Sequence, residues 1–298
     1  MGLSDRSLPV TAARHYSLMN SYDISGLVFP SIGLGTYPMR GDGLKVALEA
    51  ALSHGYTLFD TAFKYGNESE IARFLGASSS SGKIIVQTKI SLTQLSQKRF
   101  LGIHFGRNTE RDALQGSLKR LEREKLDVYL VHSPASGFDS VYSSLIHFRK
   151  EGLISVIGVC GFQEDHLRTI KNKFGEFPSI NQIEVHPYNS NKRLIDFCKE
   201  NGIAVEARSP FAHGDAMNDF MMNPVLSSIA SKYVKSVPQI IIKWLIQQGL
   251  VVIAKSENPA HIAENMDVFG FEITESEMKS IDALNRDQSF GFVSRKRE

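Results

Sequence analysis

The 298-residue chain has only two cysteines, Cys160 and Cys198, and both fall inside apolar periodic segments. That scarcity excludes a disulfide framework and suits a reducing compartment, so a cytoplasmic setting is expected. An excess of charge of one sign is also missing. The 34 basic and 32 acidic residues leave a net charge of +2, too little for a general attraction to nucleic acid or an anionic membrane. No run approaches the roughly 18 to 20 apolar residues that span a bilayer. The opening "MGLSDRSLPVTAARHY" has no apolar stretch of signal-peptide length, and Arg6 stands where N-myristoylation requires Ser or Thr. The nine histidines include no H-x-x-x-H or H-E-x-x-H pair, so no metal is expected, and no G-x-S-x-G supports a hydrolase elbow.

What is present is an ordinary globular composition, 42% hydrophobic and 22% charged, organised as alternating strand and helix patterns. Short apolar runs read as strands at residues 31–36, 57–60, 84–89, 127–132, 154–160, 180–185, 203–209 and 251–256. Amphipathic segments such as "LKVALEAALSHG" and "NKRLIDFCKENG" lie between them, several closed by glycine. Eight such units without a linker imply a parallel sheet buried on both faces, closed as a (β/α)8 barrel. The competing dinucleotide-binding sheet needs G-x-G-x-x-G in its first turn, and "GLGTYP", Gly33 to Pro38, ends on proline instead. Residues 1–21 are expected to form a mobile polar arm, and 22–298 one domain that opens with a small hairpin around Ser25-Gly26. Asn67 and Glu70 have the spacing of a capping box for the helix that follows.

In such a barrel, chemistry gathers where the strands end. Asp60, Lys89 and His132 occupy three successive strand tips, and Tyr65 lies five residues beyond Asp60. Singly, each has an ordinary explanation as a cap, a packed ring or a bonded histidine. Lys89 is the exception, because a lysine finishing the apolar strand "IIVQTK" needs a carboxylate to offset its burial. An ammonium beside a phenol favours the phenolate, and a carboxylate behind it keeps the ammonium charged. Tyr65 is therefore expected to be a general acid whose pKa Lys89 lowers, with His132 donating to the same oxygen. The reaction that most simply needs such an acid is hydride delivery to an aldehyde or ketone.

These residues, with "GLGTYP", "GYTLFDTAFKYGNE", "QTKI", "LKRLEREKLDVYLVHSP", "NQIEVHPYN" and "VVIAKSENPAHIAENMDVF" in that order, resemble the aldo-keto reductase family. The resemblance runs from about Ile32 to Asn285. It implies an NADPH-dependent oxidoreductase that reduces a small-molecule aldehyde or ketone, with a catalytic tetrad at Asp60, Tyr65, Lys89 and His132. It implies cofactor contacts from Thr36, Asp60, Gln182, Arg208, Ser209 and Phe211, and from the adenosine-gripping segment Lys255, Ser256, His261, Glu264 and Asn265. In that segment, Asn258-Pro259 reads independently as an N-cap and first helical position, where an anion is favoured.

Three departures from the family pattern stand out. His261 replaces an arginine, which weakens the grip on a 2′-phosphate and admits NADH. Cys160-Gly161 replaces Ser-Asn, removing amide contacts. Arg208 stands where an aromatic ring stacks on the nicotinamide; either the guanidinium stacks there itself or it turns away to a carboxylate. Substrate-binding residues are expected at Tyr37 and His132, with Phe100, Phe105 and Phe211 walling an apolar pocket. The molecule is expected to be a monomer or weak oligomer without nucleic-acid or membrane partners. The alternative is a nicotinamide-cofactor-sensing regulatory protein with little turnover.

Overall fold

The computed structural model describes residues 21–77, 84–95, 97–100, 103–107, 109–212 and 215–290, apart from the side chains of 77, 97–100, 103–107, 215 and 216. Residues 1–20 of the expected N-terminal arm, residues 291–298 and the Phe100 and Phe105 side chains expected in the pocket wall lie outside the described residues. Two short strands, β1 (Ser21–Ile24) and β2 (Leu27–Pro30), pair antiparallel around Ser25 (φ 53°) and Gly26 (φ 81°), the double positive-φ turn that matches strand twist. Then come β3 (Ile32–Gly35), β4 (Leu58–Asp60) and β5 (Ile85–Ile90). After β6 (Gln97–Phe100) and β7 (Ile103–Arg107), the barrel continues with β8 (Leu126–Val131), β9 (Ile154–Cys160), β10 (Ile180–Glu184), β11 (Ala204–Arg208) and β12 (Val251–Ala254).

β3, β4, β5 and β8 to β12 pair in parallel, and β12 returns to β3 to close an eight-stranded barrel. The structure is thus the (β/α)8 barrel expected from the sequence. The segment after β5, to which the sequence reading assigns no strand, carries the antiparallel β6–β7 pair. The first of these strands, QKRF, opens with three polar residues, so no apolar alternation marks it.

Two apolar layers hold the barrel. The larger lies between strands and helices, around residues such as Trp244, Tyr129 and Phe162, each 0% exposed. The smaller fills the interior, where Leu58, Ile85, Val128, Val156, Ile180 and Val251 meet Ile24, Leu27 and Phe29 of the hairpin. Several of these interior residues open their strands, so the hairpin covers the N-terminal end of the barrel; each buried side chain contributes roughly 1.5–3 kcal/mol. Gly158, on the interior face of β9, leaves no room for a methyl group: a Cβ there would lie 2.7 Å from both the Ile180 carbonyl oxygen and a Leu130 methyl. With its floor apolar and sealed, the barrel keeps its polar residues at the opposite end.

Candidate active site

Asp60 closes β4, Lys89 is the penultimate residue of β5, and His132 directly follows β8; these strands are neighbours. Tyr65 ends the short 3-10 turn Phe63–Tyr65, where Gly66 (φ 67°) adopts the left-handed conformation and Arg40 Nη2 donates to the Tyr65 carbonyl at 2.7 Å. A side chain at Gly66 would be strained by its φ and would strike that guanidinium. The capping box expected at Asn67 and Glu70 does not form. Asn67 Nδ2 donates to Thr36 O, Thr36 Oγ1 and Met39 O while its Oδ1 accepts from Thr61 Oγ1, and Glu70 accepts from the Gly41 amide. Asn67 thereby ties the loop after β3 to the loop after β4 instead of capping its own helix.

The structure brings all four tetrad residues together. Lys89 is 0% exposed and donates to both carboxylate oxygens of Asp60, at 2.5 and 2.7 Å, to the Thr61 carbonyl at 3.0 Å and to the Tyr65 hydroxyl at 3.4 Å. Burial alone would push the ammonium down, but Asp60, Tyr65 and Cys160 together more than offset it and the Lys89 pKa is raised, so the lysine stays charged. The Tyr65 oxygen accepts from that ammonium, leaving its own hydrogen for another acceptor. The half-buried Tyr65 and His132 rings meet edge to face at 5.9 Å, and Tyr37 lies 4.9 Å from Tyr65 on another side.

The sign of the expected phenol shift needs correction. Lys89 does favour the phenolate, but burial outweighs it, and Asp60 and Cys160 add to burial; the Tyr65 pKa is pushed up to about 12. The phenol therefore keeps its proton across the physiological range. His132 is lowered to about 3, first by burial and then by the positive charges of Lys89, Lys64 and Arg208, so its ring is neutral. Its Nδ1 is buried without a partner among the described residues.

Behind the tetrad the interior is unexpectedly polar. Gln182, 1% exposed, donates to Asp60 Oδ1 and Glu206 Oε2, and the Cys160 thiol points at its carbonyl oxygen at 3.6 Å. The side chain of Arg208, half-buried at the end of β11, makes no hydrogen bond or ion pair among the described residues, and its Nε is buried without a partner. It has not turned away to a carboxylate. Its charge acts on both His132 and Cys160, and it stands at the C-terminal end of β11, the same end at which Asp60 and Lys89 lie on their strands.

This geometry has counterparts among known proteins. The model of the "Aldo/keto reductase family" matches residues 31–286. The chain belongs to the aldo-keto reductase family. Methylglyoxal reductase DkgA of Escherichia coli (strain K12) is 36% identical over 270 residues, covering 89% of this chain and 93% of that protein. Among solved structures, MGS-M4, an aldo-keto reductase from a Medee basin deep-sea metagenome library, superposes with a TM-score of 0.80 at 34% identity, covering 89% of this chain and 96% of the other. A mutant of Gox0644, solved in complex with NADPH, does so with a TM-score of 0.78 at 29% identity, over 90% and 93% of the two chains. This aldo-keto reductase is accordingly an oxidoreductase.

The other residues expected at the site fall after β3, β11 and β12 and on the helix Pro259–Met266. Thr36, 0% exposed, donates through Oγ1 to the Asp60 carbonyl at 2.9 Å. Ser209 has a φ of 52° and Phe211, half-buried, packs on the outer core. After β12, Ser256 Oγ accepts from the Asn258 amide and Asn258 Oδ1 accepts from the Ala260 amide, capping the helix Pro259–Met266 as its sequence implies. His261 and Glu264 are exposed on that helix and Asn265 is buried.

Sequence reasoning missed three residues here. Glu257 holds Lys255 Nζ at 2.6 Å, placing a carboxylate where an anionic phosphate would compete for the same lysine. Gln87 and Glu206 complete the interior network. Both were legible by the argument applied to Lys89, since a polar side chain two residues before a strand tip shares its inward face.

Proposed function

We propose that the protein reduces a small aldehyde or ketone to the alcohol with NADPH, and that Tyr65 donates the proton. The observation that carries this reading is the Tyr65 hydroxyl, which accepts from the charged Lys89 at 3.4 Å and retains its own hydrogen, with the His132 ring edge to face at 5.9 Å. NADPH, held by Gln182, Arg208, Lys255 and Ser256, would supply the hydride that leaves the carbonyl oxygen negative. Neutral His132 donates to that oxygen and orients it. Tyr65 then passes it the phenolic proton. An alkoxide approaches the basicity of hydroxide, whose conjugate acid has a pKa of about 15.7, so a phenol near 12 is still a competent acid. Lys89 stabilises the phenolate that remains, and Asp60 holds Lys89 charged.

The residues present suit a nicotinamide cofactor. An orphaned, buried Arg208 Nε at the mouth asks for a ligand, and Gln182 offers its amide oxygen to a carboxamide. Lys255 and Ser256 lie beside a capped helix N-terminus, a site for a phosphate. The NADPH bound in a related structure and the methylglyoxal reductase activity of a relative support the same reading. The pairing of Lys255 with Glu257 and the exposed His261 narrow the preference for NADPH over NADH.

Arg208 gives the site a redox bias. Lying against the nicotinamide, a guanidinium tolerates the neutral reduced ring and repels the cationic oxidised one. Arg208→Tyr should lower the ratio of the NADP⁺ to the NADPH dissociation constant roughly three- to tenfold, as expected for one like-charge contact at partial exposure. Titrating both cofactors into both proteins measures it, and an unchanged ratio discards the idea. The activity itself is tested by following loss of reduced-nicotinamide absorbance with a panel of aldehydes and ketones that begins with small α-oxoaldehydes. Turnover of at least one is expected. Tight NADPH binding with no turnover across the panel would replace this reading with a cofactor-sensing role.

A further inference from the structure

Four polar side chains meet inside the barrel beneath the mouth: Asp60 from β4, Gln87 from β5, Gln182 from β10 and Glu206 from β11, none more than 4% exposed. Gln87 Nε2 donates to Asp60 Oδ1 at 2.8 Å and to Glu206 Oε2 at 2.7 Å. Gln182 Nε2 donates to the same two oxygens at 3.0 and 2.9 Å. Each amide nitrogen has two hydrogens, and each gives one to either carboxyl group. Oxygen and nitrogen of a side-chain amide are ordinarily hard to tell apart, but here the network decides. Carboxylate oxygens only accept, so an amide oxygen turned toward them would face two acceptors at hydrogen-bond distance with nothing to donate. The amide nitrogens must point inward. The oxygen of Gln182 is left pointing away from both carboxyl groups, met only by the weakly donating Cys160 thiol.

We propose that Glu206 is a positioning residue that, together with Asp60, turns Gln182 so that its oxygen and not its nitrogen meets the cofactor, accepting from the N–H of the nicotinamide carboxamide. The inference rests on the reading that a nicotinamide lies at this mouth. Glu206 hydrogen-bonds to none of Tyr65, Lys89 and His132; it reaches the site through the two glutamines alone. The titratable groups acting on it are Asp60 on β4 and Lys89 on β5, and Cys160 on β9 feels its charge in turn. Protonation of Glu206 leaves the orientation intact, because Oε2 still accepts while the unpartnered Oε1 carries the hydrogen. A glutamine at 206 would present the same pattern. A leucine would not: Gln182 Nε2 would keep its bond to Asp60 and leave its second N–H buried without an acceptor, so the amide would be free to reverse.

The test uses NADPH and its 3-acetylpyridine analogue, in which a methyl group replaces the carboxamide NH2. Dissociation constants are measured by fluorescence in the absence of any carbonyl compound. The wild-type protein should bind the analogue at least tenfold more weakly than NADPH, and Glu206→Gln should preserve that ratio. Glu206→Leu should reduce it at least threefold while binding of adenosine 2′,5′-bisphosphate, which lacks the nicotinamide half, stays unchanged. Glu206→Met serves the same purpose if the leucine variant does not fold. A folded Glu206→Leu or Glu206→Met protein that discriminates as well as wild type overturns the role of Glu206. Gln182→Met separates this from failure of the site reading: it should abolish the discrimination, and if it leaves the wild-type ratio intact, the carboxamide does not sit at Gln182 at all.

Discussion

Tyr65→Phe should lower kcat for carbonyl reduction by about 10²- to 10⁴-fold, the usual worth of a positioned general acid, while the NADPH dissociation constant stays within about twofold. The change removes one oxygen. Among the described residues that oxygen makes one long hydrogen bond, 3.4 Å from Lys89 Nζ, so neither the fold nor the cofactor contacts are expected to depend on it. Steady-state kinetics and an NADPH titration on the same preparation check both halves. Equal kcat in the phenylalanine variant would falsify the assignment of Tyr65 as the acid.

The pH profile adds a second reading of the same residue. With Tyr65 near 12 and His132 near 3, the acid stays protonated and the imidazole neutral throughout the range from about pH 5 to 9. Neither should bend kcat/KM there. The buried Glu206 is raised to about 7 by burial first and then by the negative charge of Asp60. Any inflection near neutral pH is therefore expected to disappear in Glu206→Gln.

Lys89→Met should be damaging in two separable ways. Asp60 would lose its cation while 4% exposed, and removing one partner of a buried ion pair costs about 3–5 kcal/mol. For a chain of this length, that corresponds to a fall in melting temperature on the order of 5–10 °C. Activity should also drop by at least two orders of magnitude, because the phenolate left after proton transfer would have no ammonium beside it. Pairing the change with Asp60→Asn removes the stranded charge. The double variant is expected to recover most of the melting temperature and none of the activity. If it recovers activity as well, Lys89 serves only to hold the fold.

The strands could be read from the chain because each is a local signal: a short apolar run punctuated by turn residues. The Ser25-Gly26 hairpin and the Asn258-Pro259 helix start were legible for the same reason, since a turn or a cap depends on two or three consecutive residues. The tips followed from the strands, so Asp60, Lys89 and His132 were visible together before any coordinates. The Asn67 cap failed where locality failed. Thr36 lies 31 residues away, and it and the other distant partners displace the residue's own helix.

What the linear order of residues established here is the alternation of strands and helices, hence the barrel, and the identities of the groups at its rim. The inward polar layer, the direction of the Tyr65 shift and the freedom of Arg208 came only with closure of the sheet. Gln87 and Glu206 are 119 residues apart and become hydrogen-bond partners because β5 and β11 face each other across a common interior. A pKa likewise depends on how much water that closure excludes, and no local pattern of residues carries that quantity.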